Sequence, residues 1–223
     1  MKELRLDLHI HTWYSKDGIH PPSLILKTAF SKGLDVIALT DHNSVRGLKG
    51  IRGGVHGITI VPGIEVDTIE GHVIGLGIET EIKPWLTAAE TIERIRDEGG
   101  ISVIPHPFDY LRRGIGSRAK TIGADLIEVM NSRSNTPLAN YWARRTADKI
   151  HSPITAGSDA HLAEDVGNVF LAFDNEESEQ SVDSILRLLT SRRGAKPRVV
   201  GGLTPLSSRV RKIALVRLKR TSG

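Results

Sequence analysis

The sequence predicts a single α/β domain built on a mainly parallel sheet, either open or closed into a barrel. Three observations point there. Short apolar runs alternate with helix-length segments through most of the 223 residues. The runs are rich in Ile, Val and Leu and are bounded by Gly, Pro, Asp or Asn. Six of the nine histidines sit at the ends of these runs instead of being scattered.

In chain order, strands are expected at Leu4–Ile10, Val36–Leu39, Ile58–Val66, His72–Gly77, Ile101–Pro105, Leu126–Met130, Ile154–Ala156 and Val169–Phe173. Helices are expected over 22–32, 44–50, 87–98, 137–150 and 178–191. The third opens with Thr87-Ala88-Ala89-Glu90, a capping-box pattern, and stops at Gly99-Gly100. The fifth places Val182, Ile185, Leu186 and Leu189 on one face at helical spacing. No internal repeat or linker divides the body, and the one expected hinge runs from Gly194 to Gly202. The chain thus reads as a barrel or sheet over 1–191 and a basic C-terminal extension over 192–223.

Composition narrows the function classes. Hydrophobic residues make up 39% and charged residues 25%, the balance of an ordinary soluble globular chain. No apolar run approaches the roughly 20 residues that a membrane span needs, so no membrane partner is expected. Nor does the N-terminus show a signal-peptide pattern. The absence of Cys excludes disulfides, thiolate metal sites and a cysteine nucleophile, and a cytoplasmic location is the expectation. All 26 acidic residues lie before position 192, whereas the last 32 residues carry 10 Lys/Arg and no acid. A polyanion such as nucleic acid would therefore dock at the tail.

The histidines carry the chemistry. His9 and His11 close the first run, His42 follows the second, His72 opens the fourth, His106 ends the fifth and His161 follows the seventh. Asp17, Asp41, Glu65 and Asp159 accompany them. Side chains two apart on a strand share a face, so His9 and His11 can bind one metal. Carboxyl ends of parallel strands converge on one rim, where α/β enzymes place their sites. Imidazole with carboxylate and no thiolate suits Mn, Fe or Zn, and the number of donors points to two or three divalent ions. His20, His56 and His151 lack such placement and read as structural.

Together, Asp7-Leu8-His9-Ile10-His11-Thr12, Thr40-Asp41-His42-Asn43, Gly63-Ile64-Glu65-Val66, Pro105-His106-Pro107 and Ser158-Asp159-Ala160-His161 resemble the PHP (polymerase and histidinol phosphatase) family of metal-dependent phosphoesterases. The resemblance runs from Asp7 to His161 in the family's order. It implies a distorted seven-stranded (β/α) TIM-like barrel with up to three metals at its rim. His9, His11, Glu65 and Asp159 would hold the first. Glu65 would bridge to a second, held by His72 and His106, and Asp17, His42 and His161 would hold a third. Lys16 intervenes between Ser15 and Asp17, where many relatives read Ser-Asp-Gly directly. Asp41 is expected to accept a hydrogen bond from a ligand imidazole and fix its tautomer. Glu128 would either support a ligand in the same way or pair with an Arg at the rim.

The activity implied is hydrolysis of a phosphomonoester or nucleotide-type phosphate by a metal-bridging hydroxide. Asp159 would position the hydroxide, and His161, a metal-bound water or a nearby acid would protonate the leaving group. Arg112, Arg113 and Arg133 follow strand ends closely and are candidates for the substrate phosphate. In the tail, Leu206, Val210, Ile213 and Ala214 form a stripe expected to pack a last helix on the barrel, with a solvated basic face outward. A non-catalytic accessory module of a nucleic-acid complex and a C–N or C–O hydrolase are the rival readings.

Overall fold

The strand β1 (Lys2–Ile10) alternates polar and apolar residues, yet from Leu6 onward both of its faces are buried, Asp7 and His9 included. Leu4, Leu6 and Leu8 enter the inner core cluster, whereas Ile10 belongs to an outer one. A register shift between Asp7 and Ile10 against the next strand accounts for the change of side. It leaves His9 and His11 flanking Ile10, on the face opposite to it. The computed structural model describes residues 2–49, 51, 57–175, 180–191 and 197–221.

Eight further strands follow: β2 (Val36–Leu39), β3 (Thr59–Asp67), β4 (His72–Leu76), β5 (Ile101–Ile104), β6 (Leu126–Asn131), β7 (Ile154–Gly157), β8 (Val169–Asn175) and β9 (Arg198–Gly201). They form one sheet in the order β7-β6-β5-β4-β3-β2-β1-β8-β9. The two sides of β1 and β7 approach each other: a parallel bridge joins Ile10 to Ala160, and the His11 amide donates to the Ala160 carbonyl at 2.8 Å. The result is a mixed α/β fold with a nearly closed, barrel-like sheet. One inner cluster draws residues from β1 through β8, including Val36, Val61, Leu76, Val103, Leu126, Ala156 and Leu171.

Two expectations change here. The described sheet has nine strands, not seven, because β8 pairs with Lys2–Leu6 of β1 and β9 pairs with β8. The sheet is also mixed, since β3–β4, β4–β5, β1–β8 and β8–β9 are antiparallel. The cause is loop length. Only residues 68–71 separate β3 from β4, far short of the dozen or so that a parallel crossover requires.

The helices are α1 (Pro22–Ser31), α2 (Ala88–Asp97), α3 (Pro137–Ile150), α4 (Val182–Thr190) and α5 (Leu206–Thr221). The capping box expected at Thr87 and Glu90 is formed. α4 sends Ile185 and Leu189 into the inner cluster, as the spacing predicts, while the start expected at 178 lies outside the described residues. The helix expected over 44–50 is only a 3-10 turn, Arg46–Leu48. The expected hinge is in part β9, and Arg192, Arg193 and Lys196 lie outside the described residues.

α5 reverses its expected orientation. Leu206, Val210 and Ile213 are exposed, as is Ala214, so the apolar stripe does not pack on the barrel. Polar side chains face inward instead. Ser208 donates to Asp165 at 2.7 Å, Arg209 donates to the carbonyls of Ser132, Ser134 and Thr204, and Lys219 donates to those of Trp13, Ser15 and Gly18. The ends of the strands there expose backbone carbonyls and acids, which cations satisfy and methyl groups do not.

Candidate metal centre

The side chains at the mouth arrive from six elements. β1 ends in His9 and His11; Asp41 and His42 follow β2; β3 carries Glu65 and Asp67 on one face; His106 follows β5; and Asp159 and His161 follow β7. β4 runs in reverse, so its first residue, His72, reaches the same rim as the last residues of β3. Asn43, His106 and Asp159 all adopt positive φ (54°, 30° and 51°), a conformation non-glycine residues hold only at a cost. Asn43 is tied there by its amide, which donates to the Glu65 carbonyl at 2.8 Å.

Glu65 lies at the middle, fully buried. Its two oxygens divide the imidazoles between them. Oε1 is 3.0 Å from His72 Nδ1 and 3.2 Å from His106 Nε2, whereas Oε2 is 3.3 Å from His11 Nε2, 3.3 Å from His42 Nδ1 and 3.5 Å from His9 Nε2. Asp159 Oδ1 adds a second carboxylate at 3.4 Å from His11 Nε2 and 3.8 Å from His9 Nε2. Asp17 Oδ2 is 2.9 Å from His161 Nε2, and Oδ1 is 3.9 Å from His42 Nε2. The Asp17 loop can fold this tightly because a Cβ at Gly18 would fall 1.9 Å from the Thr12 carbonyl oxygen.

Charge is strongly polarised within the cluster. Burial opposes ionisation of Glu65, but His72, His42 and His9 outweigh it and hold the carboxyl well below the usual range. Asp159 is held low in the same way, by Arg112 and His9 against burial. Burial also opposes a charge on His11, yet Asp159 and Glu65 raise its pKa to about 9. For His42 and His161 burial prevails, and their pKa values fall to about 4 and about 3. At His42 and His161, neutral imidazoles facing ionised carboxylates present lone pairs, as metal ligands must.

The donor set fits divalent ions. Four groups have ligand atoms within 4.8 Å of one another: His9, His11 and Asp159; His9, Glu65 and His106; His42, Glu65 and His72; and His11, Asp17, His42 and His161. Several polar atoms in and beside these groups are buried with no hydrogen-bond partner: His42 Nδ1, both nitrogens of His72, His106 Nδ1, Asp67 Oδ1 and Asp159 Oδ1. Buried polar atoms without partners are costly, and a coordinated cation removes that cost.

The structure brings together all nine residues expected as ligands, while the supporting residues divide. Glu128 Oε1 is 2.9 Å from His9 Nδ1, and Oε2 accepts from the His106 amide at 2.7 Å and from Asn131 Nδ2 at 2.9 Å. It orients one imidazole and the backbone of another. Asp41 departs from expectation: its oxygens accept from the Thr12 amide and hydroxyl, both at 2.6 Å, so it fixes the loop after β1 and not an imidazole. Arg112 points into the centre, its Nη2 on Asp159 and its Nη1 3.0 Å from Asn131 Oδ1. Arg133 is buried nearby, 3.4 Å from Asp165. Arg113 turns away: it donates to the Thr68 carbonyl at 2.7 Å and lies over the Trp85 ring. Its backbone is left-handed (φ 59°), and its carbonyl accepts from the His72 amide at 3.1 Å.

Asp67 was not among the expected residues. It is 2.9 Å from His72 Nε2 and accepts from Asn43 Nδ2 at 2.8 Å and Lys16 Nζ at 3.3 Å. Its signal was the alternation Glu65-Val66-Asp67, which puts both acids on one strand face. Lys212 of α5 is the other addition, its Nζ 2.8 Å from Asp17 Oδ2.

A nearly closed α/β sheet with clustered imidazoles and carboxylates at one rim defines a class, the metal-binding α/β barrels. The comparisons go further. A family model described as PHP-associated matches residues 137–193. An uncharacterized protein of Methanocaldococcus jannaschii is 36% identical over 155 residues, which cover 61% of this chain and 87% of that protein. The phosphoribosyl 1,2-cyclic phosphate 1,2-diphosphodiesterase of Eggerthella lenta is 36% identical over 98 residues, 40% of this chain and 37% of the enzyme. Among solved structures, a two-domain Bacteroides vulgatus protein described as containing a PHP-like metal-dependent phosphoesterase aligns with a TM-score of 0.66 at 18% identity, over 90% of this chain and 65% of that one. A lesion-specific endonuclease of Pyrococcus furiosus aligns at 0.62 and 22% identity, over 90% of this chain and 59% of that one. The chain belongs to the PHP family.

Proposed function

We propose that this protein is a metal-dependent phosphoester hydrolase that acts on a phosphomonoester or nucleotide-type phosphate. The observation that carries the reading is the division of Glu65: one oxygen serves His72 and His106, the other His9, His11 and His42. A carboxylate so placed would offer one oxygen to each of two ions. In this reading His9, His11, Glu65 and Asp159 hold one, Glu65, His72 and His106 a second, and Asp17, His42 and His161 a third. Bound divalent ions supply an activated water and Lewis-acid stabilisation of the phosphoryl oxygens.

The chain's own residues do the remaining work. Glu128 fixes the His9 ring, and Asp67 sets a carboxylate 2.9 Å from His72. Arg112 approaches the cluster beside Asp159 and would neutralise a phosphate oxygen, with the buried Arg133 behind it contributing to the field. A nucleotide-type phosphate as substrate is favoured by the relative named as a phosphoribosyl 1,2-cyclic phosphate 1,2-diphosphodiesterase.

The test is phosphate release by the Mn-loaded protein against an aryl phosphate, nucleoside phosphates and phosphorylated oligonucleotides, repeated with Glu65→Gln. The variant should stay folded, bind less metal and lose activity by about a hundredfold or more. Full turnover by Glu65→Gln would overturn the bridging assignment.

A further inference from the structure

α5 sends three cations toward the rim, and their surroundings differ. Arg209 and Lys219 each donate to three backbone carbonyls, which makes them fastenings. Lys212 has one hydrogen-bond partner among the described residues, Asp17 Oδ2 at 2.8 Å. An ammonium offers three donors, so its capacity is mostly unspent. Its side chain is 16% exposed, enough to meet a ligand arriving at the mouth but too little for full hydration.

The position is specific. Asp17 Oδ2 is shared with His161 Nε2, and the other nitrogen of that ring, Nδ1, is 3.3 Å from Asp159 Oδ1. Arg112 occupies the other oxygen of Asp159. Lys212 and Arg112 are therefore each one carboxylate away from a nitrogen of His161, Lys212 through Asp17 from the C-terminal helix and Arg112 through Asp159 from the loop after β5. No other Lys or Arg among the described residues pairs with Asp17 or Asp159. Two cations each held by a carboxylate of a candidate metal centre are placed to meet an anion that binds there.

We propose that Lys212 is a ligand for the substrate's phosphate and that α5 is part of the active site. This inference rests on the phosphoester reading above. Lys212 would give its free donors to a phosphate oxygen, while Arg209 and Lys219 hold the helix in place. Substrate recognition then depends on a residue 51 positions beyond His161, outside the stretch of chain that carries the ligand motifs.

The experiment measures binding of inorganic phosphate to the full-length Mn-loaded protein by calorimetry, for wild type, Lys212→Ala and Lys212→Arg. Metal content and thermal midpoint are recorded for each. Lys212→Ala should weaken phosphate binding about tenfold or more with metal content unchanged, as expected for loss of a charged hydrogen bond. Lys212→Arg should recover most of it. Phosphate affinity within about twofold of wild type in Lys212→Ala would overturn the proposal and leave the phosphoester reading standing. Loss of phosphate binding only in step with loss of metal would also overturn it, reducing Lys212 to a counter-ion of Asp17. A wild-type protein that holds metal but neither binds phosphate nor hydrolyses any ester would remove both readings.

Discussion

Asp7 is a fully buried carboxyl one strand step behind the cluster, and it illustrates how residues that touch no ligand shape the site. Its oxygens accept from the Ser158 amide at 2.9 Å and the Gly167 amide at 2.8 Å, fastening the segment that carries Asp159 and His161. Burial outweighs those bonds and raises its pKa from 3.8 to about 6. A pKa raised by folding means that the native state holds the proton more tightly than the unfolded chain. The resulting stabilisation is complete below about pH 4 and is lost as pH rises through 6. Asp7→Asn removes this titration. The unfolding free energy of wild type relative to Asp7→Asn should therefore fall by about 3 kcal/mol between pH 4 and 7, read from denaturant midpoints. At this scale the sequence was most informative: the expected ligands lie in short motifs at strand ends, where chain direction alone brings them to one rim. Asp41 and Arg113 were misassigned because the choice between a neighbouring imidazole and a neighbouring backbone group depends on loop path. Asp17, despite the intervening Lys16, still reaches His161, because Gly18 permits the tight turn.

Among the elements, β7 and β1 show how closely the sheet must close to assemble the centre. A Cβ placed on Gly157 would lie 2.4 Å from His9 Cβ and 3.0 Å from His9 N. Gly157→Ala should push β1 away and turn His9 off Glu128. A stability loss of about 1–3 kcal/mol and weaker metal uptake are the expected results, measured by denaturant titration and metal analysis. An unchanged metal content would show that His9 tolerates the shift. The strands themselves were legible from composition because they are covered on both faces. Their directions were not. Alternation of strands and helices suggests a mainly parallel sheet, whereas the four-residue connection over 68–71 turns β4 round. That reversal is what delivers His72 to the mouth. β9 went unread because its half-exposed Arg198-Val199-Val200-Gly201 lacks an apolar pattern and gains its pairing only when β8 is in place.

Over the whole molecule, the inner cluster holds the sheet by apolar burial, while α5 is held differently. The helix was expected from its length and stripe, but a stripe shows only that two faces differ, not which one faces inward. The attachment of α5 runs through Ser208 to Asp165, Arg209 and Lys219 to backbone carbonyls, Arg211 to Glu164 and Lys212 to Asp17. Attractions of this kind between partly exposed charges are screened by salt, whereas apolar burial is not. Ionic strength is thus a dial that acts more on this helix than on the apolar core. In hydrogen exchange, the amides of α5 should lose protection between 0.05 and 1 M salt (a range of about 14 to 3 Å in screening length) while those of β1 to β7 keep theirs. Equal protection of α5 at both ends would mean that the half-buried Leu215 and Val216 hold it. If Lys212 is the phosphate ligand proposed above, the same dial tunes substrate affinity, and a cell's salt content becomes part of the enzyme's specificity.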